Sequence, residues 1–90
     1  MTAGETPSIE ERMEAIFKEI FWTDRGSMRE LTKLSSSHWD SMAHMNLLLC
    51  IEEEFGMSLT DQDILDLNSF EVAVEIVREK LAAAVESHHP

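Results

Sequence analysis

With 90 residues, the chain has room for one small domain that removes only about 60–65% of its unfolded surface from water, which argues against a large enzyme with a deep cleft. Apolar residues make up 43% of the sequence, enough for a packed core, yet no apolar run approaches the roughly 18 residues needed to span a bilayer. Eighteen acids against seven bases leave a formal charge of −11, which repels phosphate backbones and makes nucleic acid a poor partner.

The N-terminal MTAGETPSIEER lacks a charged-then-apolar secretory pattern, and the single Cys50 cannot close an internal disulfide. A reducing cytoplasm is the expected location. Residues 1–7, with Gly4 and Pro7 and little apolar content, read as a flexible leader. Order is expected from Ser8, where S-I-E-E places Ser8 and Glu11 in a capping box and Ile9, Met13, Ile16, Phe17 and Ile20 follow at helical spacing. This first helix is predicted to reach about Phe21. Residues 23–39, TDRGSMRELTKLSSSHW, contain Gly26 and a serine cluster and read as a long connection with one short turn near Met28–Leu31.

From Asp40 the pattern is helical again, with His44, Leu47, Leu48, Ile51 and Phe55 on one side and Gly56 as a C-terminal cap, so a second helix is predicted over Ser41–Phe55. Thr60 and Asp63 stand in capping-box spacing before Ile64, Leu65 and Leu67, which gives a short third helix. Asn68 and Glu71 form a further capping-box pair, and Phe70, Val74, Val77, Leu81 and Val85 extend a fourth helix to near Val85. The closing ESHHP, 86–90, reads as a frayed tail. The expectation is an all-α chain with no strands: one domain over 1–90, ordered over about 8–84, with four helices and one long crossover. Phe17, Ile20, Leu47, Ile51, Phe55, Ile64, Val74, Val77 and Leu81 are expected in the core.

The stretch SSSHWDSM raises the functional question. Asp40 is a favoured N-cap and Ser41 is acceptable in a first helical turn, so helix capping alone accounts for both. Geometry adds a second possibility. A first-turn serine at the end of an exposed loop holds its hydroxyl outward, beside unpaired backbone N–H groups and the positive end of the helix dipole. An anion there gains about 0.3–1 kcal/mol, which favours a phosphodiester on Ser41 without making the site catalytic.

D-S-M at 40–42, followed by E-E-E-F-G at 52–56, resembles the second helix of acyl carrier proteins, and the distance from Ser41 to Phe55 matches the family's spacing. The similarity covers about residues 8–84. It implies a four-helix bundle of acyl-carrier type, with a long first loop and a short third helix. It further implies that Ser41 carries 4′-phosphopantetheine, transferred from coenzyme A by a separate Mg²⁺-dependent phosphopantetheinyl transferase. On that resemblance the chain is not an enzyme and holds no metal of its own. It bears acyl groups as thioesters and presents them to acyl-loading, condensing and modifying enzymes, as a monomer and away from membranes. The residues expected to meet those partners are Asp40, Met42, Met45, Leu49, Glu52 and Glu53. Methionine adapts to surfaces of different shape, and exposed acids speed encounter with basic partners more than they tighten binding.

Two departures from the common fatty-acid pattern bear on pathway. Asn46 stands where an acid is frequent, and SSSHW replaces a glycine-containing approach to D-S. W-D-S-M-A-H-M is more similar to free-standing carriers of polyketide or mixed polyketide/peptide biosynthesis, and Trp39 is expected to anchor the loop onto the bundle. The competing reading from another class is an unmodified acidic helical adaptor for basic proteins.

Other constellations carry less. Asp40, Ser41 and His44 lack a G-x-S-x-G elbow or an oxyanion-hole segment, and His44 is expected at the surface or half-buried. D-Q-D-I-L-D at 61–66 fails as a calcium loop, since Asp66 stands where glycine is needed and Val72 where glutamate is needed. His88 and His89 lack further ligands, and Cys50 reads as a small residue at the core edge.

Overall fold

A computed structural model describes residues 7–22 and 27–87, with side chains through residue 84. The expected leader through residue 6, Gly26, and the tail residues 88–90 with His88 and His89 lie outside the described residues. Among the described residues four α-helices form: α1 (Ile9–Ile20), α2 (Ser41–Phe55), α3 (Asp61–Asp66) and α4 (Phe70–Ser87), with a 3-10 turn at Met28–Glu30 in the first connection. No strand occurs among the described residues. The fold is an all-helical bundle with a long first loop and a short third helix.

The helix ends follow from local chemistry. At α1 the Ser8 hydroxyl accepts the Glu11 N–H while the Glu11 carboxylate accepts the Ser8 N–H, at 3.1 and 2.9 Å, so two orphan donors satisfy each other's residues. Thr60 and Asp63 repeat the arrangement at α3. The expected Asn68–Glu71 box at α4 is corrected by one residue. The Ser69 hydroxyl accepts the Val72 N–H at 3.1 Å, because the Asn68 carbonyl is engaged by the Lys33 N–H at 2.8 Å and the Phe70 N–H by the Leu31 carbonyl at 2.9 Å. This antiparallel pairing around Thr32 and Ser69 fixes the chain's entry into α4 one residue later than the sequence pattern indicates. α4 runs on to Ser87, beyond the expected end at Val85. Gly56 ends α2 in the left-handed region, with φ 61° and ψ 48°.

The core gathers around Phe17. Its ring lies 5.7 Å from that of Trp39 and 5.0 Å from that of Phe70, both edge to face, and 5.5 Å from that of Phe21. Such offset and T-shaped contacts suit the ring quadrupole. Leu47 and Ile51 of α2 and Ala73 and Val77 of α4 close around this cluster. Phe17, Leu47, Ile51, Phe55, Val74 and Val77 are buried as expected, whereas Ile20, Ile64 and Leu81 are only half-buried at the margin. Their places are taken by residues of the long loop, Met28, Leu31 and Trp39, and by Phe21 and Leu67 just past helix ends. Across the α1–α2 interface, Arg12 Nε donates to the Glu54 carboxylate at 2.9 Å, Nη2 donates to the Glu54 carbonyl at 2.7 Å, and the guanidinium lies 4.4 Å from the Phe55 ring centroid. One side chain thus satisfies an orphan carbonyl at the end of α2 and covers its last aromatic ring.

Candidate functional site at the start of α2

The junction at residues 39–44 is built from four capping and anchoring contacts. The Trp39 indole is buried, 5% exposed, against Phe17 and Phe21, so the serine-rich connection is pulled onto the bundle just before the helix starts. The Asp40 side chain accepts the Ala43 N–H at 2.9 Å as the N-cap, and the Asp40 carbonyl accepts the His44 N–H at 2.9 Å. The indole N–H donates to His44 Nδ1 at 3.0 Å, linking the residues on either side of Asp40–Ser41. His44 is half-buried, as expected from the sequence, and Trp39 anchors the loop as expected.

This frame leaves Ser41 exposed in the first turn of α2, its hydroxyl without a hydrogen bond among the described residues. The Asp40 cap engages the Ala43 N–H, while the N–H groups of Ser41 and Met42 remain among the helix's orphan donors. The Asp40 carboxylate already places one negative charge at this terminus, and no further acid lies in the first turn of α2. The donors and the free hydroxyl together fit a phosphodiester on Ser41.

The other residues singled out from sequence fall into two groups. Met42, Met45 and Leu49 are exposed to 74%, 57% and 56%, an apolar row running away from Ser41 at helical spacing. Asp40 and Glu53 are also exposed. Glu52 differs, because its carboxylate accepts the Leu59 N–H at 2.9 Å and holds the segment that leads into α3. Met42, Leu49 and Glu53 also border an open groove of about 820 Å³ between the end of α1 and α2, whose sides include Ile20 and Cys50. Burial, followed by the nearby Glu19 and Glu53 carboxylates, pushes the Cys50 thiol above its ordinary range. It stays protonated and weakly nucleophilic.

Two features escape sequence reasoning. Besides accepting from Trp39, the His44 ring approaches the Ile64 carbonyl with Nε2 at 3.1 Å. Neither partner is readable from the helical period, since the carbonyl belongs to a distant backbone. Leu65 of α3 is exposed. The available signal was that adjacent Ile64 and Leu65 cannot share one face of a single-turn helix.

Among the described residues, no helix is long and apolar enough to cross a membrane. No protein-family model matches the sequence, and comparison with curated proteins finds no match. Among solved structures the chain is similar to a holo acyl carrier protein from Geobacter metallireducens, with a TM-score of 0.74 and 26% sequence identity over 91% of this chain and 95% of that one. Helix order, the long first loop, the short third helix and this structural match agree, and the chain has the acyl carrier protein fold.

Proposed function

We propose that the chain is an acyl carrier protein that tethers acyl intermediates as thioesters on a 4′-phosphopantetheine arm at Ser41 and presents them to partner enzymes. The single observation that carries this reading is the exposed, unbonded Ser41 hydroxyl immediately after the Asp40 N-cap of α2, in a fold shared with a holo acyl carrier protein. When attached, 4′-phosphopantetheine supplies a flexible arm ending in a thiol that takes an acyl group as a thioester. The chain's residues supply position. Trp39 and Asp40 hold the junction so that Ser41 faces solvent, and the free N–H groups of the first turn favour the phosphodiester charge. No general base in the chain is assigned a role.

The partners on this reading are a phosphopantetheinyl transferase and the acyl-loading, condensing and modifying enzymes of a biosynthetic pathway. The row Met42, Met45 and Leu49, with Asp40 and Glu53 beside it, supports an α2 surface that basic partners read and release quickly. Glu52 contributes charge there while holding Leu59. The Asn46 and SSSHW departures favour polyketide or mixed polyketide/peptide biosynthesis over fatty-acid synthesis, in the cytoplasm, with the chain acting as a monomeric single carrier domain.

Intact mass tests the proposal. Coexpression with a broad-specificity phosphopantetheinyl transferase is expected to add one phosphopantetheine to the wild type and none to Ser41→Ala. An unchanged wild-type mass, under conditions that fully load a control carrier, overturns the reading in favour of an unmodified acidic adaptor.

A further inference from the structure

α3 is six residues long and buries none of its own side chains completely. Its capping box satisfies its first turn internally and does nothing to place it on the bundle. Placement comes from the half-buried Ile64 side chain at the core margin, from the Glu52 carboxylate that holds Leu59 just ahead of the helix, and from three further contacts. Leu67, which follows the helix, is buried in the core, Asp63 pairs with Lys80 of α4 at 2.7 Å, and the Ile64 carbonyl meets His44 Nε2 at 3.1 Å. Among the hydrogen bonds of the described residues, the last is the one that joins α3 to α2, the helix that bears Ser41.

The chemistry of the ring fixes the direction of both bonds. An indole N–H can only donate, so His44 Nδ1, at 3.0 Å from Trp39 Nε1, must be a bare acceptor. The imidazole proton then sits on Nε2 and is donated to the Ile64 carbonyl. One neutral ring therefore spans the loop, α2 and α3. Ser41 and His44 stand three residues apart on α2, where side chains are neighbours on the helix surface. The hydrogen bond that joins α3 to α2 thus lies one turn from the hydroxyl.

We infer that His44 is a positioning residue, docking α3 against the attachment end of α2 so that an enzyme addressing Ser41 meets α3 in a fixed place. The inference rests on Ser41 being the attachment point. It assigns His44 no contact with the reacting atoms.

Three variants separate the two bonds. His44→Ala removes both. His44→Asn keeps an acceptor near the Nδ1 position, within reach of the Trp39 N–H, but is too short for the Ile64 carbonyl. His44→Gln carries an amide donor out to the Nε2 position. Native-state hydrogen exchange by NMR reads the amides of Ile64 and Leu67, which bond the Thr60 and Asp63 carbonyls. Transferase kinetics with coenzyme A read access to Ser41. In His44→Ala, exchange at these two amides is expected to accelerate about fivefold to tenfold, the worth of one intramolecular hydrogen bond, while α1 and α4 amides keep wild-type rates. KM for loading is expected to rise severalfold with kcat little changed. His44→Gln restores both readouts and His44→Asn neither.

Wild-type exchange and KM in His44→Ala overturn the inference. So does rescue by Asn but not Gln, which assigns the effect to Trp39, and so does uniform acceleration across all helices, which reduces His44 to a general stabilising role. A wild-type chain that takes no phosphopantetheine sinks the carrier reading instead, and the exchange data still decide whether His44 places α3.

Discussion

Trp39 links the core to the junction that exposes Ser41, and Trp39→Ala measures how much that link is worth. The ring is 5% exposed, packs edge to face on Phe17 at 5.7 Å and tilted on Phe21 at 5.1 Å, and donates to His44. Truncating a buried aromatic residue to alanine costs about 3–5 kcal/mol, including the cavity it leaves. At roughly 0.05–0.15 kcal/mol per residue, a chain of 90 residues holds only about 5–13 kcal/mol in all. The variant therefore forfeits a large share of its stability, and Tm falls by at least about 12 °C at 4 °C or more per kcal/mol. Urea unfolding followed by far-ultraviolet circular dichroism is the suitable assay, because the substitution removes a fluorescent reporter. Trp22, 77% exposed, provides the internal control, and Trp22→Ala is expected to stay within about 0.5 kcal/mol of wild type. A loss below about 1 kcal/mol for Trp39→Ala, or equal losses at the two tryptophans, would refute the claim that Trp39 anchors the junction.

Arg12→Ala is expected to cost about 1–2 kcal/mol in chemical denaturation, since a half-exposed cation–π contact and a charge-assisted bond to a helix carbonyl each contribute about 0.5–1 kcal/mol and the exposed ion pair with Glu54 adds little. Lysine should recover less than half of that loss, because it lacks the fork that reaches carboxylate and carbonyl together; full rescue by Arg12→Lys would show that charge alone matters. Gly56→Ala is expected to cost about 1–2 kcal/mol for placing a side chain at positive φ, with no added clash because nothing lies within 4 Å of the new Cβ. Gly56→Asn should recover much of this, and an alanine variant as stable as wild type would contradict the left-handed cap.

The helices were legible because their signals are local. The Ser8–Glu11 and Thr60–Asp63 boxes, the Asp40 cap and the Gly56 stop each depend on residues within one turn, and all form where the sequence places them. The α4 start was misplaced because Asn68 and Ser69 are both competent caps, and the choice between them is made by Leu31 and Lys33, which pair with this segment from the long loop. The expected core was read from helical periodicity alone, so it missed Met28, Leu31 and Leu67, whose burial depends on where irregular segments are pulled, whereas Trp39 was expected to anchor the loop and does. At the candidate site, the exposure of Ser41, Met42, Met45 and Leu49 followed from the helix face. The bond that takes Glu52 to the Leu59 N–H and the two-sided engagement of His44 did not, because both join α2 to backbone in other segments.

Cys50 stands on the groove that opens beside the start of α2, and its ionisation is opposed by burial and by two carboxylates, one from each helix. Transfer between sulfur atoms requires the anion. Under the proposed role, a loaded chain keeps its own sulfur in the form least able to steal the cargo, so the lifetime of the activated ester is set by water and by the enzymes that collect it.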